Sequence, residues 1–208
     1  MQISRSIKYL EGGNGGFSHE FIRGRPPPIF FMEIVSISGH AGSGKDTVAE
    51  IIKERLEHDD RKALITHYAD LLKYICKTFF NWNGKKDERG REILQYVGTD
   101  IIRKQDENYW VDFLISIFRF FDKHWDYVLI PDLRFENEYT RLKDSGFDAI
   151  HLRIVRPDFQ SLLTEEQQKH VSETSLDSVK PDYTIVNSGS LEDLKTIVNN
   201  WITEELYG

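Results

Sequence analysis

The run Gly39-His40-Ala41-Gly42-Ser43-Gly44-Lys45-Asp46-Thr47 carries the spacing Gly-x-x-x-x-Gly-Lys. Glycines at those intervals let a backbone curl with its N–H groups facing inward, and a helix starting there adds partial positive charge. A lysine closing such a turn reaches a terminal phosphate, so the chemistry expected is the binding of a polyphosphate. Gly39, Gly42, Ser43, Gly44, Lys45, Asp46 and Thr47 are the residues expected to form the cradle. The hydroxyl comes one place later than in the commonest version, because Asp46 follows the lysine and Thr47 comes next. A carboxylate beside phosphates repels them, so Asp46 is expected to point away, toward an arginine or a substrate group.

Three further blocks carry candidate chemistry. The apolar run Tyr127-Val128-Leu129-Ile130 ends at Pro131-Asp132-Leu133-Arg134. A carboxylate at the end of a buried strand suits Mg²⁺, which takes oxygen ligands and keeps several waters; Asp132 and Thr47 are the expected metal residues. Arg134 would turn a guanidinium into the same cleft for bidentate phosphate contact. The competing reading has Asp132 capping the next helix and Arg134 paired with Glu136 or Glu138. Next, Gln95, Thr99 and Arg103 step by four along a helix and share one side, offering an amide for a base edge and a guanidinium for a phosphate. Trp110 follows, and the bland alternative is a solvated helix face with Trp110 in the core. Finally, His170, Ser172 and Glu173 follow a polar stretch over 160–169 that suits a mobile lid. His170 and Glu173 stand too close together for a metal pair, and Asn187-Ser188-Gly189 is a turn able to wrap an adenine ring.

Strands and helices must alternate to position these blocks. Strands are expected over 33–38, 63–67, 127–130, 149–155 and 183–186. Helices are expected over 46–58, 71–80, 91–104, 109–122 and 136–145, with a last one capped by Ser190. A polar, turn-rich stretch covers 81–90. Such alternation implies α/β architecture: a parallel sheet with helices on both faces and ligands beyond the strands' carboxyl ends. Residues 1–31, with Glu11-Gly12-Gly13-Asn14-Gly15-Gly16 and Arg25-Pro26-Pro27-Pro28, read as a flexible extension, leaving one domain over 32–208.

Composition narrows the classes. A net charge of −7 over 208 residues argues against a broad polynucleotide-binding surface. The single cysteine, Cys76, excludes an intrachain disulfide and a Cys-based zinc site, and its apolar neighbours predict a core thiol. No apolar run approaches membrane-spanning length, and no convincing signal peptide opens the chain, so a cytoplasmic protein is expected.

In order, these blocks resemble the deoxynucleoside monophosphate kinase family of phages and bacteria. The carriers are Gly44-Lys45-Asp46-Thr47; Gln95, Gly98, Thr99, Arg103 and Trp110; Asp132, Arg134, Phe135 and Glu138; and His170, Ser172 and Glu173. Many relatives have a basic residue where His40 or Ala41 stands. The resemblance implies a P-loop NTPase fold: three α/β/α layers around a parallel five-stranded sheet, as in nucleoside monophosphate kinases. It implies Mg²⁺-dependent transfer from ATP to a nucleoside monophosphate, with Lys45, Asp132 and Arg134 catalytic. The loop residues and Asn187 would bind ATP, and Gln95, Arg103, Trp110, Arg134, His170 and Glu173 the acceptor. Phosphomevalonate kinase of animals shares the Gly-Lys-Asp loop and the Asp-x-Arg strand end, so a different phosphate monoester stays open as acceptor. A nucleotide-binding regulatory module is the alternative from another class. The partners implied are the monophosphate and ATP, with a second copy of the chain left open.

Overall fold

The computed structural model describes residues 31–157, 159 and 163–207. The extension expected over 1–31 lies outside them apart from Phe31. The chain runs β1 (Glu33–Ser38), α1 (Lys45–His58), β2 (Ala63–Ile65), α2 (Ala69–Phe79) and α3 (Glu88–Gln95). A π-helical segment (Tyr96–Arg103) leads into α4 (Tyr109–Phe120), β3 (Tyr127–Ile130), α5 (Glu136–Asp144) and β4 (Asp148–Val155). Then come α6 (Glu165–Lys169), α7 (Val171–Thr174), β5 (Tyr183–Val186) and α8 (Leu191–Trp201).

The described strands form one parallel sheet in the order β2-β3-β1-β4-β5. Central strands covered on both faces need apolar residues at every position, which is why β1 and β3 read as unbroken apolar or small runs. Alternation along the pleat splits them between two cores. Ile34, Val128 and Ile130 join Leu72, Cys76, Trp110, Leu114, Phe118 and Leu142 on one face. Val35, Ile37 and Leu129 join Val48, Ile52, Leu56, Leu194, Val198 and Trp201 on the other. Helices thus cover both faces, and the sheet is the three-layer α/β/α core of P-loop proteins. Cys76 is fully buried, as expected.

Element ends differ where tertiary contacts intervene. The strand expected over 63–67 stops at Ile65, and the backbone N–H groups of Tyr68 and Ala69 are drawn onto Asp132, each at 3.0 Å. The helix expected over 91–104 starts at Glu88, because Asp87 accepts from Gly90 N at 2.8 Å and caps it. From Tyr96 it widens to π-helix. Within the stretch read as a lid, Thr164 and Gln167 form a reciprocal cap on α6. No described helix is long and apolar enough to cross a membrane.

Candidate active site

The β1–α1 turn has the conformation its glycines permit. Gly39 (φ 141°) lies against β4, so a Cβ there would come within 2.3 Å of the Ile154 carbonyl oxygen. Gly44 (φ 100°) begins α1, and a Cβ would meet Asn187 Nδ2 at 2.7 Å. Asn187 donates from Nδ2 to the Ser43 carbonyl at 2.9 Å. The Ser43 hydroxyl is buried with no hydrogen-bond partner among the described residues, the condition of a group that awaits a ligand. Lys45 folds back on the loop, donating to the carbonyls of Gly39 (2.6 Å) and His40 (2.9 Å). Burial, and then the neighbouring Arg134 guanidinium, pull its amine down to about 8. Two cations held this close store repulsion that a phosphate would relieve.

Arg134 follows β3, the strand beside β1, which brings it to the loop. Its Nη1 donates to the Ser172 carbonyl at 2.9 Å and pairs with the Glu173 carboxylate from α7. This pair stands between two cavities. One, of about 340 Å³, has walls of Leu72, Leu94, Gln95, Gly98, Thr99 and Trp110. The other, of about 700 Å³, is bounded by Gly39, His40, Ser43, Arg153, Arg156 and Phe159. Lys45, Arg134 and Glu173 line both. A group held by Lys45 and Arg134 is therefore accessible from either side.

Arg103 reaches the smaller cavity from the π-helical segment. Its Nη2 donates to Glu138 Oε1 at 2.5 Å and its Nη1 to Asn137 Oδ1 at 2.9 Å. The Phe135 ring lies 3.6 Å from the guanidinium carbon. Glu138 is buried, and burial pushes its carboxyl up to about 7 against the pull of Arg103 and two backbone N–H groups. Two of the five N–H donors of Arg103 are thus engaged in the described contacts.

Asp46 lines the smaller cavity with Lys45, and its Oδ1 lies 3.5 Å from His67 Nε2. That contact holds the Asp46 carboxyl below its ordinary value and raises the His67 imidazole. Asp46 thus faces the smaller cavity, and the partner it meets is a histidine and not the arginine expected. Asp132 caps a helix, though α2 and not the next one: Oδ1 accepts from Tyr68 N and Oδ2 from Ala69 N.

The structure brings Gly42, Lys45, Asp46, Gln95, Arg103, Trp110, Asp132, Arg134 and Glu173 around the smaller cavity. Trp110 also belongs to the core and donates from Nε1 to the Gly98 carbonyl at 3.2 Å, so both readings of it hold. Four expected residues line neither cavity, Gly44 at the start of α1 and three others. Thr47 is exposed on α1 and lines neither cavity. Its side of the helix is fixed by the inward Val48 and Ala49. His170 lines neither cavity; Nδ1 accepts from Ser172 N at 3.2 Å and caps α7. Asn187 braces the loop from behind rather than facing a base. Sequence reasoning missed His67, Tyr68, Arg153 and Arg156. All four follow or end a parallel strand at the sheet's ligand edge, a position that could have flagged them.

A family model described as deoxynucleotide monophosphate kinase matches residues 58–198, beginning after the glycine-rich loop. A protein of Acanthamoeba polyphaga mimivirus, provisionally named a deoxynucleotide monophosphate kinase, is 29% identical over 189 residues, covering 78% of this chain and 92% of its own. The deoxynucleotide monophosphate kinase of Enterobacteria phage T4 is 33% identical over 112 residues, 53% of this chain and 44% of its own. That of Escherichia phage RB69 is 32% identical over 106 residues, covering 50% and 41%. The match thus spans less than half the length of the two phage relatives. A sugar kinase structure from Janibacter shares the fold at 12% identity and a TM-score of 0.50, covering 84% of this chain and 96% of that one. The ordered blocks, the parallel sheet that gathers them and the match over most of the chain agree: this chain belongs to the deoxynucleotide monophosphate kinase family.

Proposed function

We propose that the chain transfers the γ-phosphoryl group of ATP to a deoxynucleoside 5′-monophosphate. An oxygen of the acceptor phosphate forms the new bond to phosphorus as the bond to the departing ADP oxygen breaks. The observation that carries this reading is the pair of cavities that share Lys45 and Arg134. An enzyme joining two phosphates must hold both anions against one cationic point, and a site that only hydrolysed ATP needs no second cavity.

In this reading the backbone N–H groups over 42–47 and the Ser43 hydroxyl cradle the donor phosphates in the larger cavity. Lys45 exchanges its loop carbonyls for the γ-phosphate. Arg134 exchanges Glu173 for the acceptor phosphate, and Arg103 directs its remaining donors to the same group. Leu72, Leu94 and Trp110 form an apolar slot for the base, with Gln95 and Thr99 at its edge to read polar atoms. His170 takes no part beyond capping α7, and Asn187 acts through the loop it braces.

The residues present fit Mg²⁺. Asp132 offers carboxylate oxygens that each accept one N–H and keep a lone pair for a hard cation, and Asp46 faces the same cavity. Asp132 and Asp46 would hold the ion, with Thr47 reached only through water. A Mg²⁺ ion held by them would supply neutralisation of phosphate charge beside Lys45.

The test is ADP release coupled to a reporter across the deoxy- and ribonucleoside monophosphates, with phosphomevalonate included. Stimulation by one or more deoxynucleoside monophosphates is expected. Turnover that no monophosphate stimulates would sink the proposal, and phosphomevalonate as the best acceptor would replace it.

A further inference from the structure

Glu138 is the most deeply buried acidic residue among those described, with 3% of its surface exposed. It occupies the first turn of α5 and reaches back over it. Oε2 accepts from the backbone N–H of Arg134 at 3.0 Å and of Phe135 at 3.1 Å. Taken alone, that is an ordinary helix cap of a kind that works at the surface. An ordinary cap needs no burial, and taking a carboxylate out of water costs several times what a cap contributes. The other oxygen shows what the burial serves. Oε1 receives Arg103 Nη2 from the π-helical segment, while Phe135, whose N–H the same carboxylate holds, lays its ring against that guanidinium. Tyr68, at the start of α2, donates its hydroxyl to the Glu138 carbonyl at 3.2 Å. Three segments of the smaller cavity therefore meet on one residue: the turn with Asp132 and Arg134, the segment with Arg103, and the turn with His67.

We infer that Glu138 is the positioning residue of the acceptor-phosphate site, fixing with one carboxylate both the plane of Arg103 and the turn that aims Arg134. The inference rests on the reading of these two arginines as the acceptor-phosphate ligands. It assigns Glu138 no contact with substrate. Arg103, hydrogen-bonded to Glu138 and stacked on Phe135, adds orientation more than attraction, and Arg134 beside Lys45 supplies the attraction.

The conservative change Glu138→Gln keeps the size but cannot accept from Arg103 and from both backbone N–H groups at once. Its acceptor KM is expected to rise about 10- to 100-fold, the loss typical of a charge-assisted hydrogen bond that orients a reacting group. KM for ATP should stay within about twofold, because the donor cradle makes no use of Glu138. Calorimetric titration with a deoxynucleoside monophosphate in the absence of ATP should show the same loss of affinity. In the cycle of Arg103→Ala, Glu138→Gln and the double variant, the double should lose clearly less than the product of the singles, because the part that acts through Arg103 is lost only once. Multiplying effects, equal losses for both substrates, or an unchanged acceptor KM each overturn the inference. If Glu138→Gln does not fold, Glu138→Asp keeps the charge but is one methylene short of spanning both partners, and the same readouts apply. Arg134→Ala is the separate control: an unchanged acceptor KM there sinks the acceptor-site reading itself, whatever Glu138 does.

Discussion

Lys45 does the most consequential work at the residue scale. A lysine amine at about 8 is held there first by burial and second by Arg134. The unfolded chain restores the ordinary value of 10.5, so this group weakens the fold fully below about pH 8. That penalty fades as pH rises toward 10.5, because the unfolded state then binds more protons. A bound polyphosphate favours the charged amine, so ATP binding at pH 8 is expected to take up a fraction of a proton, and at pH 6 none at this group. Calorimetry of ATP binding in two buffers of different ionisation heat measures that uptake; its absence at pH 8 would contradict the assigned contact. Lys45→Ala should lower kcat by about 100-fold or more, with the fold intact.

The π-helical segment walls the smaller cavity with Gly98, Thr99 and Arg103, and it shows where the sequence stops being readable. The four-residue step of Gln95, Thr99 and Arg103 was legible, since side-chain direction follows helical spacing. The widening from Tyr96 to Arg103 was not, because a π-turn is a response to packing. Gly98 sits in that turn, and a Cβ there would come within 2.6 Å of Leu72 Cδ2. Leu72 also lines the cavity, so its branch has open space only on the substrate side. Gly98→Ala should therefore raise acceptor KM several-fold while the melting temperature shifts by only a few degrees, about 1 kcal/mol of overpacking. A large loss of stability with native acceptor KM would mean that the turn itself resists the methyl group. Pairings across the chain were equally invisible. Arg103 and Glu138 lie 35 residues apart and Arg134 and Glu173 lie 39 apart, and residue types alone do not say which carboxylate meets which arginine. The exposure of Thr47 was hidden for a related reason: the motif fixes the spacing, but the rotation of α1 about its axis is set by which face the sheet buries.

The sheet order β2-β3-β1-β4-β5 brings the segments after β1, β2, β3 and β4 to one edge, where both cavities lie. Its alternation and its ligand edge were legible from apolar periodicity alone. The partition formed by Arg134 and Glu173 was not, because α7 arrives from a separate part of the chain. Removing the charge from Glu173 should loosen that partition. Glu173→Gln is expected to release ADP in the absence of any acceptor at several times the native rate, as water gains the path reserved for the acceptor. Measuring ADP release without a monophosphate checks this, and a native background rate would show that the pair does not separate the cavities.

The hydrogen bond from Asn187 to the Ser43 carbonyl spans 144 residues of sequence. It ties the shape of the glycine-rich loop to the turn after the last strand, so the loop's local motif is not self-sufficient. During synthesis Asn187 follows Ser43 by 144 residues, and at ordinary elongation rates the interval is on the order of ten seconds. Throughout it the nascent loop lacks its brace. The loop therefore takes its braced shape only after β5 and the turn behind it have been made, so a motif that is local in sequence is late in folding.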